Sequence, residues 1–228
     1  MSNIGARRTA AKVEGRPSYV KRRTAILAAA AVAFRETGLH GTSMSEVAEI
    51  LGTDRATLYY YFGSKEELFQ DVVQSALIAN AQLANRITSG PGTPIERLEA
   101  LIQGLLDSYG QNYPHLYVFI QENLLDVNQE GPGWAVEMTN IAARYARAMA
   151  RVIHEGVDEG YFVDLVNVRI VTNSIMGMVN WSHRWYGPDD SLTTEEIGKI
   201  MSTLVVGGIV KADGRMLATN GSEPKVNR

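Results

Sequence analysis

Arg55, Thr57, Tyr59 and Tyr61 fall within one short segment, Asp54-Arg-Ala-Thr-Leu-Tyr-Tyr-Tyr-Phe62, and their side chains suit the edges of base pairs. A guanidinium pairs bidentately with O6 and N7 of guanine, and a threonine methyl or tyrosine ring packs on the methyl of thymine. Leu58 and Phe62, four apart with Ala56 behind them, take the inward positions, and Tyr60 is assigned to the core with them. Around this segment Thr42, Ser43, Ser64 and Lys65 offer hydroxyls, helix-start amides and one ammonium, groups that hold phosphate oxygens through dipole and charge. Arg22 and Arg23, at the head of an earlier helix, suit the same backbone contacts.

Catalytic chemistry has no comparable constellation. The four histidines, His40, His115, His154 and His183, lie far apart and form no metal-binding spacing. There is no glycine-rich phosphate loop and no Gly-x-Ser-x-Gly turn. The acid pairs Asp189-Asp190 and Glu195-Glu196 sit where loops and helix starts explain them. We therefore expect a protein that is not an enzyme, with no cofactor and no metal. The absence of cysteine removes disulfides and thiolate zinc sites and suits a reducing cytoplasm. The uncharged run Ala25–Phe34 is too short to span a bilayer, so no membrane partner is expected.

Net charge is −3, unpromising for a polyanion partner until its distribution is considered. Residues 1–65 hold ten Lys/Arg against five acids, a surplus of +5, which leaves −8 on the remainder. A basic end on an acidic body confines nucleic-acid contact to one region. The arm's own cations, Arg7, Arg8 and Lys12, reach a flanking groove or are merely solvated.

The elements that must position these groups are helical. A first helix runs from Lys21 with Ile26, Ala30, Ala33 and Phe34 on its apolar face, and Gly38 ends it. Ser43 and Glu46 fit a capping box before Met44, Val47, Ala48 and Leu51, with Gly52 at a left-handed stop. Thr53 is expected to cap the helix that carries Arg55, Gly63 to break it, and Ser64 to cap a long helix to about Thr88. Past Gly90-Pro-Gly-Thr-Pro94 the pattern predicts helices near 95–109, 114–127, 134–158, 166–186 and 194–211. The reading is all-α with about nine helices. Its divisions are a flexible arm (1–20), a helix-turn-helix domain (21–67), an effector-binding and dimerisation domain (68–212) and a polar tail (213–228).

Within the body, Arg169, Asn173, Asn180 and Arg184 recur at helical spacing on an otherwise apolar segment that includes Met176. They form either one wall of a ligand pocket or a solvated face. Phe119, with Tyr117, Leu105, Leu106 and Tyr109, would supply apolar walls or plain core. Arg147, flanked by Arg144 and Arg151, gives a guanidinium stripe that suits phosphates, or is solvated. Ile197, Ile200, Met201, Leu204, Val205 and Gly208 mark the last helix as a dimer surface, with Ser174 and Gly177 on the helix before it.

The segment Arg22–Phe69 closely resembles the DNA-binding domain of the TetR family of bacterial transcriptional regulators. The resemblance is carried by Gly41-Thr-Ser-Met44, Val47-Ala48, Leu51-Gly52, Thr57-Leu-Tyr-Tyr-Tyr-Phe62 and Ser64-Lys-Glu-Glu-Leu68. It implies a homodimer on a palindromic double-stranded DNA operator, a small-molecule effector bound by the helical body, and repression as the usual outcome. Glu155-Gly-Val-Asp-Glu-Gly-Tyr-Phe162 and Trp181-Ser-His-Arg-Trp-Tyr-Gly-Pro188 look like the acyl-CoA-responsive branch, which regulates fatty-acid, phenylacetate and steroid-ring catabolism. Asn180 and Met176 depart from that branch, where another basic or aromatic side chain would be expected. The alternatives are a TetR-like regulator answering a non-CoA hydrophobic ligand, or a DNA-binding protein with no effector.

Overall fold

A proline opens α1 (Pro17–Gly41), four residues before the expected start. Proline is favoured in a first turn, where its missing N–H is no loss. Tyr19 then buries its ring against Tyr61, centroids 4.8 Å apart, and this distant partner carries the helix back past Lys21. The computed structural model describes residues 17–122, 131–164, 167–187 and 189–211. The cations expected of a basic arm at Arg7, Arg8 and Lys12, and the tail from 213, lie outside them.

The Ser43–Glu46 capping box is formed at the head of α2 (Met44–Ile50). Gly52 adopts φ 66°, and Thr53 N returns to Ala48 O at 2.9 Å, which finishes α2 rather than starting the next helix. Asp54, not Thr53, therefore caps α3 (Arg55–Tyr61), its carboxylate accepting from Thr57 N at 2.7 Å. Ser64 accepts from Glu67 N at 3.1 Å at the start of α4 (Lys65–Thr88). A second capping box, Thr93 with Glu96, and Pro94 in the first turn open α5 (Pro94–Gln111). There follow α6 (His115–Gln121), α7 (Gly133–Asp158), α8 (Val168–Asn180) and α9 (Thr194–Ile209), the last capped by Thr193 with Glu196. The helix expected over 166–186 ends sooner as an α-helix. At Trp181–Arg184 it tightens to a 3-10 turn, with Trp185 N reaching Ser182 O at 3.1 Å.

The fold is all-α, with nine α-helices and no strand among the described residues. One isolated antiparallel bridge, Phe162 with Val210, ties the end of α7 to the end of α9. No helix among the described residues is long and apolar enough to cross a membrane.

Packing divides the chain into two units. The first takes α1–α3, α4 through Ala76, α6 and the start of α7 to Met138. Its core is Ile26, Ala30, Ala33 and Phe34 with Val47, Leu58, Phe62, Leu68 and Phe69, and the Phe69 ring meets Phe34 and Trp134 edge-on. This unit runs further along α4 than the expected boundary at residue 67 and includes α6, because α4's first turns and α6 both bury apolar side chains there.

The second unit holds the rest of α4, α5, most of α7, α8 and α9. Leu98, Leu101, Ile102, Leu105 and Leu106 of α5 are buried in it, as are Tyr145, Met149 and Val152 of α7. Tyr145 donates to Leu101 O at 2.7 Å, and burial, then the charge of Asp107, pushes its phenol well above the ordinary range. Gly156 has the Phe162 ring directly upon it: a Cβ there would stand 2.3 Å from two ring carbons.

Candidate nucleic-acid interface

Two side-chain pairs organise α3. Asp54 accepts from Thr57 through both its amide and its hydroxyl, the latter at 3.1 Å, and the amide bond before the hydroxyl holds its carboxyl below the ordinary carboxylate range. One residue on, Arg55 Nη2 donates to Tyr59 Oη at 3.0 Å while the guanidinium lies 5.2 Å from the centre of the Tyr59 ring. Arg55 is exposed and Tyr59 half-buried, so α3 presents a guanidinium held against an aromatic plate. Leu58 and Phe62 are fully buried as expected, whereas Ala56 faces out. Such a surface on a two-turn helix, preceded by a second helix and a tight left-handed turn, fits a major groove.

Several expected contacts are internal. Tyr61 stacks on Tyr19, and Tyr60 meets both rings edge-on, so Tyr61, half-buried like Tyr59, is part of an aromatic cluster. Thr42 is buried, its hydroxyl donating to Gly38 O at 2.7 Å and lying 2.8 Å from that of Thr37. Lys65 sends its ammonium to His40 O (3.2 Å) and Thr42 O (2.9 Å). Arg23 pairs with Asp71 and lies 5.0 Å from the centre of the Phe62 ring. Ser43 and Ser64 spend their hydroxyls on capping. Arg22 is half-buried near the start of α1. Helix periodicity alone does not reveal Tyr19 or Asp71, whose roles depend on partners far along the chain, and the capping place that Asp54 takes was expected of Thr53.

The expected effector line divides. Arg169, Asn173 and Arg184 are exposed, and Arg184 lies over the Trp181 ring at 5.3 Å. Asn180 turns inward and accepts from Tyr109 Oη at 2.5 Å, and Met176 is half-buried. The opposite face of α8, Thr172, Ile175 and Val179, is buried. Phe119 is half-buried in the first unit. Arg144, Arg147 and Arg151 all face solvent, and Arg147 donates to Asn140 O at 3.2 Å. A groove of about 980 Å³ between α5 and α9 is lined by Gln103, Asp107, Thr194 and Lys199 among others, and by none of these effector candidates. No group of three or more His, Asp or Glu suited to a metal occurs among the described residues.

Comparison with known proteins agrees with this geometry. Residues 26–72 match the model described as bacterial regulatory proteins, tetR family, and residues 91–209 match the tetracyclin repressor-like C-terminal domain. The transcriptional repressor KstR2 of Mycobacterium tuberculosis (strain ATCC 25618 / H37Rv) is 28% identical over 190 residues, covering 83% of this chain and 94% of KstR2. The solved structure of that ketosteroid regulator superposes with a TM-score of 0.76 at 26% identity, over 83% of this chain and 95% of the other. A structure of AibR in complex with isovaleryl coenzyme A and operator DNA shares the fold, with a TM-score of 0.68 at 23% identity over 80% of this chain and 97% of that one. The two matched domains, spanning most of the chain with the exposed α3 inside the first, make this protein a DNA-binding transcriptional regulator and a member of the TetR family.

Proposed function

We propose that the protein is a homodimeric repressor that leaves a palindromic operator when a small molecule, an acyl-CoA thioester, binds its helical body. The Arg55–Tyr59 face of α3 carries the DNA half of this reading. One such helix spans only a few base pairs, so two copies one DNA turn apart, about 34–36 Å, are needed for a long site. An apolar surface suited to pairing runs along α8 and α9: Ile170, Trp181, Ile200 and Leu204 are 55–65% exposed. Isolated exposed apolar residues are ordinary, but four large ones on two neighbouring helices favour burial against a second copy.

The thioester reading is supported by the structure of AibR, solved in complex with isovaleryl coenzyme A and operator DNA. In this chain Asn180, with Tyr109, supplies an inward polar pair beside Met176 for the acyl end. The exposed guanidiniums of Arg144, Arg147 and Arg151 suit the phosphates of the coenzyme, and Arg169, Asn173 and Arg184 are its other outer contacts. Release requires that the thioester bind the non-reading state more tightly than the reading one. The test is anisotropy on labelled intergenic DNA beside the protein's own gene, titrated with acyl-CoA thioesters and the matching free acids. Release by one thioester and not by its acid is the expected result. Binding that no thioester alters would exclude the coenzyme and leave the DNA-binding function in place.

A further inference from the structure

α1 does not run evenly to its end. At Gly38 the backbone swings to φ 72°, ψ 174°, and one more helical turn follows to Gly41. A left-handed φ favours glycine, and here space demands it too: a Cβ on Gly38 would stand 2.8 Å from Glu122 Oε1. At that ψ the next amide, Leu39 N–H, is turned out of the helical ladder. It donates to Glu122 Oε1 at 2.5 Å, across a sequence separation of 83 residues. The other carboxylate oxygen, Oε2, faces His40 Nδ1 at 3.8 Å, and the Glu122 side chain is only 12% exposed. Glu122 is the residue that ends α6.

The carbonyls of the same corner are held separately. Thr42 takes Gly38 O with both its amide (3.1 Å) and its hydroxyl, and Lys65 takes His40 O and Thr42 O. The corner between α1 and α2 is thus pinned from α4 by a cation on its carbonyls and from α6 by an anion on its displaced amide. From this corner the chain enters α2 and then α3.

We propose that Glu122 is a positioning residue for operator reading: its carboxylate fixes the Gly38–Thr42 corner and, through it, the angle at which α2 and α3 are presented. The role is exerted through the corner alone, without any contact between Glu122 and DNA. A buried amide deprived of its acceptor does not stay in place unsatisfied, so the corner relaxes when the carboxylate withdraws. The inference takes operator reading by α3 as given.

The full-length protein is compared with Glu122→Ala and Glu122→Gln on a duplex selected from a randomised pool by the wild-type protein, and on a scrambled duplex. Hydrogen exchange is followed over residues 37–42 in the same samples. Glu122→Ala is expected to lose at least tenfold affinity for the selected duplex and little for the scrambled one, with at least tenfold faster exchange at Leu39. Glu122→Gln, which keeps a carbonyl acceptor at Oε1, is expected to restore both to within about threefold of wild type. A folded Glu122→Ala protein that binds the selected duplex within twofold of wild type would overturn the proposal. So would a loss that glutamine leaves unrepaired. If the alanine variant fails to fold, the wild-type exchange decides: a Leu39 amide exchanging as fast as an exposed one removes the latch. Wild-type protein that cannot tell the two duplexes apart would count against α3 as reader, and the Leu39 exchange would still test the contact itself.

Discussion

As the proposed base reader, Arg55 would meet a groove from a prepared position. Its stacking on Tyr59 and hydrogen bond to the phenol restrict the guanidinium before DNA arrives, which lowers the entropy lost on docking. Arg55→Ala is expected to lower specific affinity by about 1–3 kcal/mol, roughly fivefold to 150-fold, while leaving the thermal midpoint unchanged. Tyr59→Phe keeps the plate and removes the hydrogen bond, and a smaller loss in the same direction should follow. Titration of selected and scrambled duplexes checks both, because loss confined to the selected duplex identifies base reading. Lys65 behaves differently. Its ammonium is engaged by two backbone carbonyls, so Lys65→Met should lower stability by about 1–3 kcal/mol. The slope of log affinity against log salt should stay unaltered, whereas loss of a phosphate contact would reduce it by about one.

Helices register these side chains, and their starts and stops are where sequence and structure can be compared most closely. The Ser43–Glu46 box and the left-handed Gly52 were legible because each rests on bonds between residues close in sequence. The displaced start at Pro17, the Asp71 partner of Arg23 and the inward turn of Asn180 were not, because each depends on a partner remote in sequence. The same reason applies to the proposed reading residues: Arg55 and Tyr59 were proposed from type and spacing, whereas the burial of Thr42 and the stacking of Tyr61 required the packed neighbours. The close approach of Gly156 to the Phe162 ring offers a test of this packing. Gly156→Ala would gain helix propensity but drive a methyl into the Phe162 ring, and a net loss of about 1–3 kcal/mol is expected by denaturant unfolding. Pairing it with Phe162→Leu should recover part of that loss.

Whole-molecule behaviour turns on the apolar side of α8 and α9. Leu204, 65% exposed, and Ile200, 55% exposed, lie one helical turn apart on α9. Leu204→Asp places a charge in the surface proposed to join two copies, and sedimentation should then show a monomer at concentrations where wild type is a dimer. The monomer is expected to keep its helical circular dichroism and to lose affinity for the full palindrome far more than for a single half-site. A dimer of unchanged stability would move the interface elsewhere.

Tryptophan placement gives this surface an optical consequence. Trp134 sits edge-on to Phe69 in the first unit, while Trp181 and Trp185 are 61% and 49% exposed at the end of α8. Two of the three indoles therefore emit from water in an isolated chain, and pairing along α8 would dry Trp181 and shift its emission to the blue. The unlabelled protein carries its own dilution-sensitive chromophore, so a spectrum taken across a concentration series reads its assembly directly. With Trp181→Phe as the blank, the same cuvette reports whether a metabolite that frees the operator also loosens the pair.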